Sequence, residues 1–423
     1  MTTITTALRR KIITAAEFPL WAYEPKDYFN FEIIHTSKKS LARVGRITTP
    51  HGYVDTPGYV AVATNAALKA VDFPRADSAG QQLCFANTYH LMLQPGTDII
   101  REAGGIHAFT GRNDRPFITD SGGFQVFSLK HGSVKESLES KGELKRSTVK
   151  NKPHWRSGIT GSNAVKVTED HVVFRSYRDG SEIILSPESS IQAQKDIGAD
   201  IIIPLDELPP HHIDRDVLAE SVERSHRWEA RSLIEHLKDS RERKQAIFCV
   251  VHGGTDVELR TKSIDYLTAL PWDGYAIGGS LGNGRQELKE LLDWMMPLFN
   301  IGERSSKCRH LLGIGDVESV HNAVKSGVDT LDSSYPTKLA RCGTLMTKQG
   351  LLRIKQGKHS KSHGVKIEED CECATCTHYD RSYLWHLFKA NEPLALQLAT
   401  VHNIHFMNTL LSDLRQQILS GEI

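Results

Sequence analysis

No run in this 423-residue chain approaches the roughly 18 consecutive apolar residues that a membrane-spanning helix needs. Net charge is nearly absent. The 52 Lys and Arg against 51 Asp and Glu leave +1, which excludes a uniformly basic nucleic-acid coat while allowing a local basic patch. Cysteine is scarce: seven in all, an odd number, with Cys84, Cys249, Cys308 and Cys342 scattered. That excludes a disulfide framework and points to a reducing, cytoplasmic setting with one metal site. No Gly-rich phosphate fingerprint argues for ATP or a nicotinamide cofactor, and no internal repeat suggests a solenoid. The first 16 residues lack acids, are rich in threonine and carry Arg9, Arg10 and Lys11, as expected of a flexible tail more than of a transit peptide.

Eight short apolar runs are present, at 59–64, 83–87, 117–120, 200–206, 247–252, 274–278, 311–315 and 328–332. Most are continuously apolar, as strands buried on both faces are. Helical sequence separates many of them. Ser186-Pro187-Glu188 supplies an N-cap and a first-turn proline, and 216–238 places Leu218, Val222, Leu233 and Leu237 inward. The pattern predicts an α/β fold: a (β/α)8 TIM-type barrel over 31–367, a doubly wound sheet being the alternative, since periodicity does not show closure. Residues 1–30 form an N-terminal extension. The polar, basic segment at about 130–166 is an inserted surface segment, followed by a hairpin (172–177 and 182–185) turning at Asp179-Gly180. The region 368–423 is a zinc-binding subdomain with C-terminal helices.

The runs end in polar residues. Asn87, Asp120, Asp206, His252 and Asp332 all fall at predicted C-terminal strand ends, the catalytic rim of such a barrel. Thr119-Asp120-Ser121-Gly122-Gly123-Phe124-Gln125 adds a double glycine that lets backbone approach a ligand closely. Cys371, Cys373 and Cys376 lie within six residues; three thiolates suit zinc, with the fourth ligand open among His378, His386, His402 and His405. With protein ligands in all positions the site is structural. After Asp332, residues 333–367 contain no acid but eight cations: Lys338, Arg341, Lys348, Arg353, Lys355, Lys358, Lys361 and Lys366. In a chain of net charge +1, such a concentration beside a candidate catalytic Asp suits a polyanion such as RNA.

Asn87-Thr88-Tyr89-His90-Leu91, the Thr119–Gln125 motif, Ser186-Pro187-Glu188, Tyr275-Ala276-Ile277-Gly278-Gly279, Gly327-Val328-Asp329, Asp332 with Pro336-Thr337, and the cysteine cluster with His402-Asn403 occur in unbroken order. Together they resemble the tRNA-guanine transglycosylases from about residue 31 to the C-terminus. The resemblance implies a (β/α)8 barrel with a zinc subdomain. It also implies an enzyme that exchanges guanine at the anticodon wobble position for a 7-deazaguanine base, commonly as a homodimer. By position, Asp332 resembles the nucleophile and Asp120 the general acid/base. Ser121, Asp206, His252, Gly278 and Gly279 resemble base-binding positions, and Phe124 and Leu312 those that sandwich the heterocycle. Gly313, Thr337, Lys338 and Arg341 resemble tRNA contacts, and Cys371, Cys373, Cys376 and His402 the Zn2+ ligands.

Several positions depart from that pattern. His252 stands where many members have Gln, and Leu208 where preQ1 users often carry Cys. Position 284 lacks the usual Glu, and Gly282 stands where preQ1 users tend to have Val and queuine users Gly. Space at Gly282 favours queuine as the incoming base, with preQ1 the alternative. A non-catalytic tRNA-binding partner subunit is the other rival. Retention of Asp120, Asp206 and Asp332 argues against it.

Overall fold

The computed structural model describes residues 11–130, 165–176, 178–209 and 213–423. Residues 131–164, the bulk of the expected insertion, lie outside them. An antiparallel sheet comes first: β1 (Asn30–Thr36), β2 (Arg43–Thr49) and β3 (Gly52–Thr56). Next come β4 (Gly58–Val62), β5 (Leu83–Ala86) and β6 (Phe117–Thr119), then a small antiparallel sheet of β7 (Lys166–Val167), β8 (Val172–Arg175) and β9 (Glu182–Leu185). The chain continues through β10 (Ile201–Ile202), β11 (Ala246–Val251), β12 (Gly274–Ile277), β13 (Cys308–Leu311) and β14 (Thr330–Ser333), and then a hairpin of β15 (Thr344–Thr347) and β16 (Gly350–Arg353). The eight strands β10-β11-β12-β13-β14-β4-β5-β6 are hydrogen-bonded in that order and closed, and their pairings are parallel. The (β/α)8 barrel is therefore the fold, and the doubly wound alternative is set aside.

Each strand serves two cores, which explains the unbroken apolar runs. In β11, Ala246, Phe248 and Val250 join the barrel interior, while Ile247, Cys249 and Val251 pack outward with the helices. The β1–β3 region closes the N-terminal end. Phe29, Ile47 and Val54 join the interior cluster, and Phe29 meets Phe248 edge-on at 5.9 Å. Three aspartates that each immediately precede a strand fasten this cover. Asp200 bonds His51 at 2.8 Å, Asp273 bonds Lys26 at 2.6 Å, and Asp329 bonds Arg43 at 2.5 Å. The opposite, C-terminal end stays open.

Two strands differ from expectation. β10 is only Ile201–Ile202: Gln194 takes both backbone groups of Ile203, at 3.1 and 2.8 Å, and Pro204 has no N–H to offer. The seventh barrel strand is Cys308–Leu311, not 311–315, because buried Arg309 and His310 sit inside it. The Arg309 guanidinium is held by Phe299 O and Asn300 Oδ1. The hairpin forms, but Ser176 N bonds Ser181 O, so Asp179-Gly180 belongs to a wider loop than a two-residue turn. The helices behave as expected. Ser186 caps Pro187–Ile197, and Val222, Leu233 and Leu237 of Arg215–Leu237 are buried, with Leu218 half-buried.

The long C-terminal helix Pro393–Leu419 joins two cores. Ala395, Leu398 and Ala399 pack with the cysteine cluster, whereas Ile404, Met407, Leu411 and Leu414 pack in the main core.

Candidate active site

The open rim gathers the polar strand ends. Asp120 follows β6, Asp206 lies four residues past β10, His252 follows β11, Gly278 follows β12, Leu312 follows β13, and Asp332 is within β14. Asp332 and Asp120 face the mouth from strands separated by β4 and β5.

Asp332 is a nearly buried carboxylate, and its Oδ1 accepts the Gly313 N–H at 3.0 Å. His310 Nε2 lies 3.3 Å from the same oxygen, its Nδ1 held 2.9 Å from Thr330 Oγ1. Tyr59 Oη donates to the Ser333 carbonyl next door at 2.7 Å. His310 escaped the sequence argument; the signal was a polar residue inside a buried strand. Asp120 is oriented through both oxygens. Asn87 Nδ2 donates to Oδ2 at 2.6 Å, and the Thr88 N–H donates to Oδ1 at 2.7 Å. The Asn87-Thr88 motif thus positions an acid on the neighbouring strand.

Asp206, His252 and Gly279 form a wall beside Asp120. Burial pushes the Asp206 carboxyl up to about 7; the Asp120 charge adds to the rise and the hydroxyl of buried Ser121 opposes it. His252 Nε2 lies 3.5 Å from Asp206 Oδ2. Gly279 has φ +74°, and a Cβ there would come within 3.5 Å of His252 Nδ1. Gly278 is required sterically, since a Cβ would meet Val250 at 2.6 Å and Leu312 at 3.0 Å. Arg260 holds this wall together from behind. Fully buried, it donates to the carbonyls of Gly254, Val251, Gly278 and Ser280, tying the loops after β11 and β12. Nothing in the sequence pattern marked Arg260, which lies on an ordinary-looking helix. A cleft lined by Glu207, Leu218, His252, Gly254, Gly279 and Ser280 opens alongside. Phe124 is 54% exposed at the start of helix Gly123–Lys130, and Leu312 is half-buried.

One reading about specificity changes. Gly282 has φ +99°, and a Cβ there would collide with Glu287 Cβ at 2.6 Å. Its missing side chain serves the backbone and Glu287, which also accepts the Asn283 N–H. Leu208 packs against the cluster of Tyr89, Phe127, Phe174 and Trp228.

Beyond Asp332, Gly313 is exposed. Thr337 is buried, and its hydroxyl donates to Ser334 O in the first turn of helix Tyr335–Arg341. Lys338 is exposed and Arg341 half-buried. Lys348, Arg353, Lys355, Lys358 and Lys361 are also exposed, so much of the basic stretch is a charged surface.

The donor set of the cysteine cluster fits a metal ion. Cys371, Cys373, Cys376 and His402 are buried, and their ligand atoms lie within 4.8 Å of one another. His402 Nδ1 stands 3.7, 3.6 and 3.3 Å from the three sulfurs. A tetrahedral zinc with ordinary Zn–N and Zn–S bonds sets that edge at about 3.6 Å. The far nitrogen, Nε2, lies 2.8 Å from Met346 O, which leaves Nδ1 unprotonated toward the sulfurs. His378, in contrast, is exposed and bonds Ala374 O. Asn403, the next residue, bonds Pro336 O, Thr344 O and Met346 N. The same turn of helix therefore holds both the metal cluster and the segment that follows Asp332.

Comparison with known proteins agrees with this architecture. A family model described as "Queuine tRNA-ribosyltransferase" matches residues 37–423. A protein of that name from Protochlamydia amoebophila is 53% identical over 391 residues, covering 92% of this chain and 95% of the relative. Proteins of the same name from Chlamydia caviae and Chlamydia trachomatis are 46% and 47% identical, each over 93% of this chain and 99% of the relative.

Proposed function

The chain belongs to the queuine tRNA-ribosyltransferase family, the tRNA-guanine transglycosylases, and on that premise we propose that it replaces guanine at the anticodon wobble position of tRNA with queuine through a covalent ribosyl ester on Asp332. The observation that carries this reading is the pair of oriented carboxylates on one rim. Asp332 is held by the Gly313 N–H, and Asp120 by Asn87 and Thr88. Breaking the C1′–N9 bond builds positive charge at C1′ and negative charge on the departing purine. Asp332 attacks C1′ while Asp120 protonates the guanine. Asp120 then takes the proton of the incoming base as that base displaces the ester, so configuration is retained.

Asp206 grips the amino edge of the base, Ser121, His252 and the Gly278-Gly279 backbone its carbonyl side, and Phe124 and Leu312 its faces. The target nucleotide must leave its stack to reach the rim. Gly313, Lys338 and Arg341 line the approach of the anticodon loop. Thr337 acts through the helix start that it stabilises. Zn2+ would be held by Cys371, Cys373, Cys376 and His402. It would be structural, since protein fills all four positions. The seven unpaired thiols support a cytoplasmic setting, and the family resemblance implies a homodimer.

For the incoming base, the relatives' shared name and the open cleft beside His252 and Gly279 support queuine. The test is exchange into tRNA carrying radiolabelled guanine at position 34, with queuine and preQ1 in parallel. Release of label by queuine is expected. Release by preQ1 alone would contradict the assignment.

A further inference from the structure

Behind the wall of the base pocket lies a carboxyl group that the reaction above does not use. Glu229, on helix Arg215–Leu237, has no exposed surface. Its Oε2 accepts the Val250 N–H at 2.9 Å, and its Oε1 lies 3.2 Å from His252 Nε2. Both Oε1 and Nε2 are sealed from solvent, and among the described residues neither makes a hydrogen bond to any group; the atom nearest to each that could supply or accept a proton is the other, at 3.2 Å. His252 Nδ1, the other ring nitrogen, lies on the Gly279 side.

We propose that Glu229, as a carboxylic acid donating from Oε1 to His252 Nε2, fixes the imidazole in its Nδ1–H tautomer, so that His252 presents a hydrogen-bond donor to the carbonyl of the bound base. Glu229 is then a positioning residue for base recognition, a role that rests on the reading of this wall as the purine site. The surroundings agree. Burial, with the Asp206 charge in addition, holds the Glu229 carboxyl well above the usual range. Burial, with the positive charge of Arg260 in addition, holds His252 well below the usual imidazole range. With both partners neutral, a proton on Oε1 facing the Nε2 lone pair leaves Oε2 free to accept from Val250, whereas Nε2–H facing Oε1 would put the acid proton on Oε2, against the Val250 N–H. On the edge that carries N7, the carbonyl is the acceptor that guanine and 7-deazaguanines share, because N7 is carbon in the latter. A donor from His252 does the work of a glutamine amide there. Without Glu229, the nearest partner of Nε2 is Asp206 Oδ2 at 3.5 Å. Donation to that carboxylate puts the proton on Nε2 and turns a lone pair toward the base carbonyl.

The test combines 15N NMR of histidine-labelled protein with exchange kinetics for guanine. The His252 resonance is assigned by its loss in His252→Gln. Wild type is expected to show the Nδ1–H pattern. Glu229→Gln, whose amide also donates to Nε2, keeps that pattern and a KM near the wild-type value. Glu229→Leu shifts the proton to Nε2 and raises KM for guanine about tenfold or more, with kcat changed far less. A wild type already protonated on Nε2 would overturn the proposal, even if Glu229→Leu fails to fold. So would a folded Glu229→Leu that keeps Nδ1–H and its KM. An enzyme without exchange activity but with the expected tautomers would instead refute the base-exchange reading alone.

Discussion

Asp206→Asn separates what the buried carboxyl does for stability from what it does for binding. In the folded chain its pKa is pushed up to about 7. In an unfolded chain an aspartate titrates near 3.9. Between those values the folded protein holds a proton that the unfolded chain has lost. Stability therefore falls as pH rises from about 4 to 7 and is level above that window. Three pKa units correspond to about 4 kcal/mol. The Asp206 side chain keeps 15% exposure, so relaxation and water should trim the measured penalty to about 1–3 kcal/mol. Asparagine does not ionise and escapes this cost. Asp206→Asn should therefore be more stable than the parent at pH 8, with the advantage gone at pH 4, while guanine exchange collapses. Urea unfolding of both proteins at the two pH values, each with its metal retained, reads the difference directly. An equal change at both pH values, or a variant destabilised only at pH 8, would refute the argument.

Other outcomes follow from the same structure. Zinc should copurify at one ion per chain, and Cys373→Ser should lose the ion and melt lower before any effect specific to catalysis; a metal-free preparation with unchanged melting temperature would contradict a structural site. At Asp200, burial alone would raise the carboxyl pKa, but hydrogen bonds from His107 and His51 outweigh it and hold the group below the usual range. Its stabilisation is full above about pH 4 and is lost only as pH falls on toward the folded carboxyl's own, much lower value, so Asp200→Asn should cost on the order of 2 kcal/mol at pH 7, with the cost beginning to shrink below about pH 4 and continuing to shrink below pH 3, read by thermal melts. Replacing Lys348, Arg353 and Lys355 by Gln should weaken tRNA binding and lower the slope of log K against log salt by about 0.7–0.9 for each phosphate no longer neutralised; an unchanged slope would remove that surface from the tRNA path.

The barrel was legible because strands sandwiched between an interior and a helical layer carry apolar residues on both faces. Where local rules were broken, the sequence misled. Pro204 and Gln194 cut β10 short inside an apolar run, and Arg309 and His310 hid the body of β13 because buried cations and imidazoles look like surface residues until their partners are known. The same limit applies at the site. Asp120, Asp206, His252 and Asp332 announced themselves at strand ends. Arg260 and Glu229 lie on helices whose patterns gave no reason to bury them. His402 could be told from its neighbouring histidines by residues alone only through family resemblance; the fold selects it by bringing Nδ1 to three sulfurs. Gly282 is the counterexample, a glycine read as spare room that is filled by Glu287.

The covalent step is the centre of the account, and one measurement reaches it directly: denaturing electrophoresis of enzyme mixed with guanine-34 tRNA, followed by addition of free base. Wild type should form an enzyme–tRNA adduct that survives denaturation and is discharged by the base. Asp332→Asn should bind the tRNA with comparable Kd and form no adduct. An adduct formed by Asp332→Asn in wild-type yield would contradict Asp332 as the nucleophile, and with it the mechanism proposed for this rim.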